Sequence, residues 1–189
     1  MIKLIVALGN PGSEYELTRH NVGWLVFDEY FSNKNPIWKN KFKGEYCALN
    51  VKGEQIYFLK PQTFMNLSGE SVQALAEFFK VEMNEMLVVY DEIDLPLGTI
   101  ALKKGGGFAG HNGLKSINQC TGKADFMRLR VGVGRPVHGS VSSWVLSKFK
   151  ADEDILLGRI LEASAECIDT ALNSGYEKAA TKYSRKTYN

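Results

Sequence analysis

Leu4-Ile5-Val6-Ala7-Leu8-Gly9-Asn10-Pro11-Gly12 is the stretch from which the fold can be read. Five apolar residues in a row, β-branched in the middle, describe a strand buried on both faces, as in a parallel sheet. Gly9 to Gly12 stop it with turn chemistry. After a short polar excursion, Thr18 stands as N-cap of a helix with Val22, Leu25, Val26 and Tyr30 on its inner side. A strand end beside a helix N-terminus is where open α/β sheets keep their sites. Asn10 and His20 are therefore the first candidates for chemistry.

His20 has two readings. One is a histidine that helps cap its own helix, the commoner use of such a residue. The other is a general base, kept neutral because the positive end of the helix dipole disfavours imidazolium. A base also needs a carboxylate or carbonyl on its other ring nitrogen to fix the tautomer. Asp91 is placed to supply one. It ends the second apolar run, Met86-Leu87-Val88-Val89-Tyr90, just as Asn10 ends the first. If the two strands are parallel neighbours, both residues emerge at one sheet edge. The alternative is that Asp91 only caps the turn Asp91-Glu92-Ile93-Asp94-Leu95-Pro96.

The rest of the chain alternates strands with helices. Residues 46–51 and 55–59, joined through Lys52-Gly53-Glu54, read as a hairpin. Val72, Leu75, Ala76 and Phe79 make an i, i+3, i+4, i+7 helical set. Residues 98–103 form a strand, and a helix runs through Leu114, Ile117 and Asn118. Residues 128–133 alternate as a strand with one polar face. The longest helix spans 152–172, with Gly175 past its end. Residues 32–43 read as a surface loop in which Lys34, Lys39, Lys41 and Lys43 interleave with Trp38 and Phe42, and residues 176–189 as a short basic tail. The expected fold is one α/β domain over residues 1–189, a mixed, largely parallel twisted sheet flanked by helices.

A length of 189 residues suits one domain with a full core. No apolar run approaches the roughly 20 residues a membrane helix needs, and no charged–apolar–small pattern marks a secretory signal. Cys47, Cys120 and Cys167 are scattered and odd in number, which fits reduced thiols in a cytoplasmic protein better than a disulfide frame or zinc knuckle. Three dispersed histidines argue against a metal. A net charge of +2 leaves a nucleic-acid partner to be decided by where the lysines and arginines fall.

Gly105-Gly106-Gly107-Phe108-Ala109-Gly110 has the spacing G-x-G-x-x-G, but a dinucleotide reading fails on context. The fingerprint opens a βαβ unit and has an acidic residue about 20 positions on. Here it lies past mid-chain, with Asp125 too near. No Gly-Lys-Ser/Thr follows, so a P-loop is absent as well. The loop reads instead as a mobile gate carrying His111 and Asn112, or as a plain turn. With no G-x-S-x-G and no cysteine in a reactive setting, water is the natural client of a His20 base. Asn10, Asn66 and Asn112 bring amides that both donate and accept, which suits a peptide backbone.

These stretches together carry a resemblance. Leu8-Gly9-Asn10-Pro11-Gly12 with Thr18-Arg19-His20-Asn21-Val22-Gly23 resembles the opening signature of bacterial peptidyl-tRNA hydrolase. Lys60-Pro61-Gln62-Thr63-Phe64-Met65-Asn66-Leu67-Ser68-Gly69 resembles that family's second block. Asp91 to Pro96, Gly110 to Lys115 and Arg128 to Gly134 resemble the third, fourth and fifth, in the family's order and over nearly the whole chain. The resemblance implies a cytoplasmic, monomeric hydrolase, without metal or other cofactor, that cleaves the ester between a peptide and the terminal ribose of tRNA. It puts the catalytic histidine at His20 and its supporting aspartate at Asp91, with Asn10 beside them. It assigns substrate contacts to Tyr15, Met65, Asn66 and Asn112, and tRNA contacts to Lys103 and Arg130. Lys104, Lys115, Arg128 and Arg135 lie near the same loops, and Lys178, Lys182, Arg185 and Lys186 crowd the tail. Phe108 and Ala109 depart from the histidine and glycine common in the family, as does Arg135 from histidine. These changes imply a more apolar and stiffer gate and leave the catalytic set intact. The rival readings are a non-catalytic RNA-binding protein and a nucleotide-cofactor enzyme.

Overall fold

The buried first strand has both of its edges paired in parallel. A computed structural model describes residues 1–188. Its strands, in chain order, are β1 (Leu4–Ala7), β2 (Lys39–Lys41), β3 (Gly44–Val51), β4 (Glu54–Pro61), β5 (Met86–Glu92), β6 (Thr99–Lys104), β7 (Met127–Gly132) and β8 (Lys186–Thr187). The helices are α1 (Val22–Tyr30), α2 (Ser68–Phe79), α3 (Asn112–Thr121), α4 (Val141–Val145), α5 (Asp154–Ser174) and α6 (Tyr176–Tyr183). The strands form one sheet in the order β2-β3-β4-β1-β5-β7-β6-β8. β4, β1, β5 and β7 are mutually parallel, and the outer pairs are antiparallel.

The continuous apolar runs follow from burial on both faces. Leu4, Val6, Leu8, Val88 and Tyr90 pack with Val72 and Leu75 of α2 and Leu114 and Ile117 of α3. Ile5, Ala7, Leu87, Val89 and Leu129 point the other way, to Val22, Val26 and Phe27 of α1 and Ile160 and Ile168 of α5. Successive strand residues alternate faces, so each apolar run feeds two cores at once.

Three local expectations change. Thr18 does not cap α1: its Oγ1 donates to the Tyr15 carbonyl at 2.8 Å, and Arg19 to Asn21 make a single 3-10 turn before the α-helix begins at Val22. The Arg19 N–H is taken by the Ser147 carbonyl at 3.0 Å, a long-range bond that no local pattern signals. Part of the supposed loop 32–43 is the edge strand β2, turning into β3 through Phe42 and Lys43, both left-handed at φ 60° and 53°. Such a turn favours Asn-Gly, and here Phe42 is held against Tyr46, Phe78 and Phe79. The basic tail is α6 and β8, with Thr99 and Thr187 hydroxyls 3.0 Å apart across the β6–β8 pair; Asn189 lies outside the described residues.

α2 and α3 cross at Gly69. Its N–H donates to Ser116 Oγ at 2.9 Å, and a Cβ there would stand 2.1 Å from the Ser116 carbonyl oxygen. Gly69→Ala is therefore expected to destabilise the fold by about 1–3 kcal/mol, the usual cost of forcing a packed contact apart. Urea unfolding measures this, and an unchanged midpoint would show that the two helices can separate freely.

Candidate active site

Asn10 follows β1 and Asp91 lies near the carboxyl end of β5, and the parallel pairing of these strands opens both into one crevice. Asp91 is 2% exposed, and both carboxylate oxygens are used. Oδ2 lies 2.7 Å from His20 Nδ1 and Oδ1 lies 2.8 Å from His111 Nε2. The other nitrogen of His111, Nδ1, accepts from the backbone N–H groups of Gly113 and Leu114 at 3.1 and 3.4 Å. That nitrogen must carry a lone pair, so Nε2 carries the ring proton and donates it to Asp91. On His20 the carboxylate fixes the proton on Nδ1 and leaves Nε2 as the basic nitrogen at the groove wall.

Burial alone disfavours imidazolium, but the charge and hydrogen bond of Asp91 outweigh it and hold the His20 pKa above its ordinary 6.5. Burial likewise acts to push the Asp91 carboxyl up. The charge of His20 and the hydrogen bonds from His20 and His111 outweigh that and hold it below its ordinary 3.8. The helix dipole invoked from the sequence is thus not what sets His20, which precedes the α-helix proper by two residues. The carboxylate sets it.

Asn10 is fixed on three sides. The fully buried Asn21 side chain accepts from the Asn10 N–H at 2.8 Å and donates to its carbonyl at 2.9 Å. Asn10 Oδ1 accepts from the Met65 N–H at 2.7 Å. That last bond uses the accepting end of the amide, so Asn10 faces the groove with a donor, Nδ2, and not with both functions as its residue type allowed. Asn66 and Asn112 make no side-chain hydrogen bond to the protein among the described residues and stand exposed on the rim, free to donate and accept.

The groove has a volume of about 590 Å³. His20, Asn10 and Asp91 line its floor, Phe64, Met65 and Asn66 one wall, and Val141, Val145 and Leu146 of the α4 region another. Tyr15 is set behind Phe64, edge-on with ring centroids 6.4 Å apart, and braces the wall from outside. His111, Asn21 and Arg19 escaped the sequence reading as site residues. The available signal was weak: three polar residues beside His20 or Asn112, without any pattern to say that all three would be withdrawn from bulk water.

The glycine loop is tied down. Arg128, 1% exposed, donates to the carbonyls of Gly106, Gly107 and Ala124, with its guanidinium over Phe126 and Phe108. This corrects its place among phosphate-collecting cations, since its terminal nitrogens are bound to backbone carbonyls and the side chain is withdrawn from water. Ala109 sits at φ 47°, a left-handed position that glycine would take without strain. Arg130 is mostly buried and pairs with Glu92 at 2.8 Å, Lys104 with Glu177 at 2.6 Å and Arg135 with Asp94 at 2.7 Å. Lys103 and Lys115 are exposed and make no ion pair among the described residues.

His20, Asp91 and His111 bring ligand-type atoms within 4.8 Å of one another. They suit a hydrogen-bond network better than a metal. His111 cannot ligate through Nε2 while Nδ1 accepts backbone N–H groups unless the ring becomes imidazolate. The glycine loop also fails as a dinucleotide cradle, because it follows the antiparallel strand β6 and two of its carbonyls are bound to Arg128. No helix among the described residues is long and apolar enough to cross a membrane.

The model of the peptidyl-tRNA hydrolase family matches residues 4–189. The chain is similar to a peptidyl-tRNA hydrolase of Trichlorobacter lovleyi, 45% identical over 186 residues covering 98% of this chain and 96% of that one. It is similar also to one of Lactobacillus johnsonii, 40% identical over the whole of both. The crystal structure of the Acinetobacter baumannii peptidyl-tRNA hydrolase superposes with a TM-score of 0.88 at 36% identity, covering 97% of this chain and 96% of that one. With the family model matched from residue 4 to 189 and both sequence and fold in agreement, the chain belongs to the peptidyl-tRNA hydrolase family.

Proposed function

We propose that the chain hydrolyses the ester between a peptide's C-terminal carboxyl and the terminal ribose of tRNA, with His20 as general base on water. The observation that carries this is the buried Asp91 carboxylate at 2.7 Å from His20 Nδ1, which leaves Nε2 as the proton acceptor. Nε2 takes a proton from water as the water oxygen attacks the ester carbonyl, and Asp91 stabilises the imidazolium that forms. Asn10 Nδ2 donates to the carbonyl oxygen as negative charge develops there. Collapse of the tetrahedral species breaks the carbon–oxygen bond to the ribose, whose oxygen recovers the proton from His20. The products are free tRNA and a peptide carboxylic acid, which ionises to the carboxylate by giving its proton to water.

Asn66 and Asn112, open at both ends of their amides, suit a peptide backbone of any sequence. A substrate with a free α-ammonium instead of an acylated nitrogen has no acceptor or neutral N–H to offer them and leaves them poorly paired. Lys103, Lys115 and the basic residues of α6 and β8 are the cations for tRNA phosphates; Arg130 offers at most its terminal nitrogens, with Nε on Glu92. Phosphate contacts of this kind are sequence-tolerant and salt-sensitive.

Hydrolysis of N-acetyl-aminoacyl-tRNA, against unblocked aminoacyl-tRNA, tests the reading directly. Native protein is expected to release only the blocked substrate, and His20→Ala, still folded, to lose about 100- to 10,000-fold in rate. No cleavage by native protein that still binds tRNA would favour the RNA-binding alternative. The pH profile tests the pairing. Activity needs neutral His20, so the acid limb of kcat/KM is expected above pH 6.5, on the side to which Asp91 raises the histidine. Asp91→Asn removes the attracting charge but keeps the burial, so the limb moves to lower pH while the rate falls. A limb that stays put would assign the titration to another group. Raising salt from low to moderate is expected to weaken tRNA binding steeply, and a flat response would remove the phosphate contacts from the account.

A further inference from the structure

Arg19 immediately precedes His20, and its side chain is withdrawn from water, with the residue 1% exposed. One terminal guanidinium nitrogen, Nη1, donates to Ser147 Oγ at 2.7 Å, to the Lys148 carbonyl at 2.6 Å and to the Ser147 carbonyl at 3.3 Å. The other terminal nitrogen, Nη2, pairs with Glu153 at 2.7 Å. Its Cζ lies 3.8 Å from the centre of the Trp144 ring and 5.3 Å from that of Phe149. All these partners belong to residues 144–153, the segment that begins in α4 and leads into α5. The backbone repeats the link, through Arg19 N–H to the Ser147 carbonyl and Phe149 N–H to the Leu17 carbonyl.

α4 has five residues, too few to be stable as a helix without tertiary support. It nevertheless supplies Val141, Ser142 and Val145, and next to it Leu146, to one wall of the groove. A lysine in place of Arg19 would have neither the planar fork nor the ring-stacking face that these contacts use.

We propose that Arg19 is a positioning residue that latches the α4 wall to the turn presenting His20, so that the wall can hold the peptide part of the substrate. This rests on the peptidyl-tRNA reading for what the wall holds. The latch itself rests on the Arg19 contacts alone. The His20–Asp91 pair does not pass through Arg19. Releasing the latch therefore loosens substrate binding and leaves the base chemistry in place.

The test compares native protein, Arg19→Gln, Arg19→Lys and Glu153→Gln on N-acetyl-phenylalanyl-tRNA, with limited trypsin digestion of each protein. In Arg19→Gln, KM is expected to rise about tenfold with kcat within about threefold, the signature of lost ground-state binding. The acid limb of the pH profile stays where the native protein has it, Arg19→Lys does not rescue, and Glu153→Gln shifts KM in the same direction by less. Trypsin should cut sooner at Lys148 or Lys150 in Arg19→Gln. A native KM combined with lower kcat and lower thermal stability would make Arg19 merely structural and overturn the proposal. If Arg19→Gln does not fold, Glu153→Gln decides: native KM and native trypsin resistance in that variant would also overturn it. Native protein that cleaves nothing would sink the substrate reading instead, and the digestion rates would still decide the latch.

Discussion

The carboxylate of Asp91, taken out of water between two histidines, is the constraint on which the rest of the site depends. An isolated buried carboxylate is costly and would neutralise itself by raising its pKa. Here each oxygen has an N–H donor, from His20 and from His111, and the acid is held below its ordinary value. The same bonds fix both imidazole tautomers. His111 is fixed from its far side as well, because it caps α3 with its other nitrogen. One buried charge thus joins a strand end, the turn before α1 and the start of α3, and it leaves one imidazole nitrogen, His20 Nε2, uncommitted.

That arrangement sets stability against activity. A histidine whose pKa is raised on folding contributes stability that is complete below 6.5 and is lost as pH rises through the folded value. A carboxyl whose pKa is lowered contributes stability present above 3.8 and lost as pH falls through its folded value. The ion pair is therefore at its strongest between these limits. In the reaction proposed above, the neutral base is present where the histidine's share is being given up, so the proposed chemistry draws on a site with its own electrostatic stabilisation partly released. The core on both faces of β1 and β5 carries the fold there.

Around this centre the structure spends its polar groups on holding backbone. Asn21 holds Asn10, Asn10 holds Met65, Ser68 holds Met65 again through its carbonyl at 2.8 Å, and Arg128 holds the glycine loop. Residues that look chemical in the sequence turn out to have half of their functions committed. The groove is left with a small set of open groups: one base, one amide donor and two complete amides on the rim. The peptide contacts proposed above have use for such a set, since directional groups aimed at backbone atoms do not read side chains.

The sequence by itself determined the parallel core, because five consecutive apolar residues can be satisfied only in a strand covered on both faces, and Leu4 to Leu8 and Met86 to Tyr90 both have that pattern. It also placed Asn10 and Asp91 at the ends of those two runs, while their meeting at one edge with His20 waited on the parallel β1–β5 pairing. The hairpin, the amphipathic helices and the family signature were legible for the same reason: each is a local pattern. What only the tertiary structure decided depends on pairs far apart in the chain. The Arg19 N–H reaches Ser147, 128 residues away, and the 3-10 turn that it opens precedes α1, which starts at Val22. Arg128 is a buried strut and not a phosphate contact because the loop at 106–107 folds over it. His111 joins Asp91 across 20 residues through the placement of α3, and no spacing in the sequence encodes that distance. Charge and polarity are properties of a residue type. Whether a charge meets water, a carbonyl or a substrate is settled by what the folded chain puts beside it.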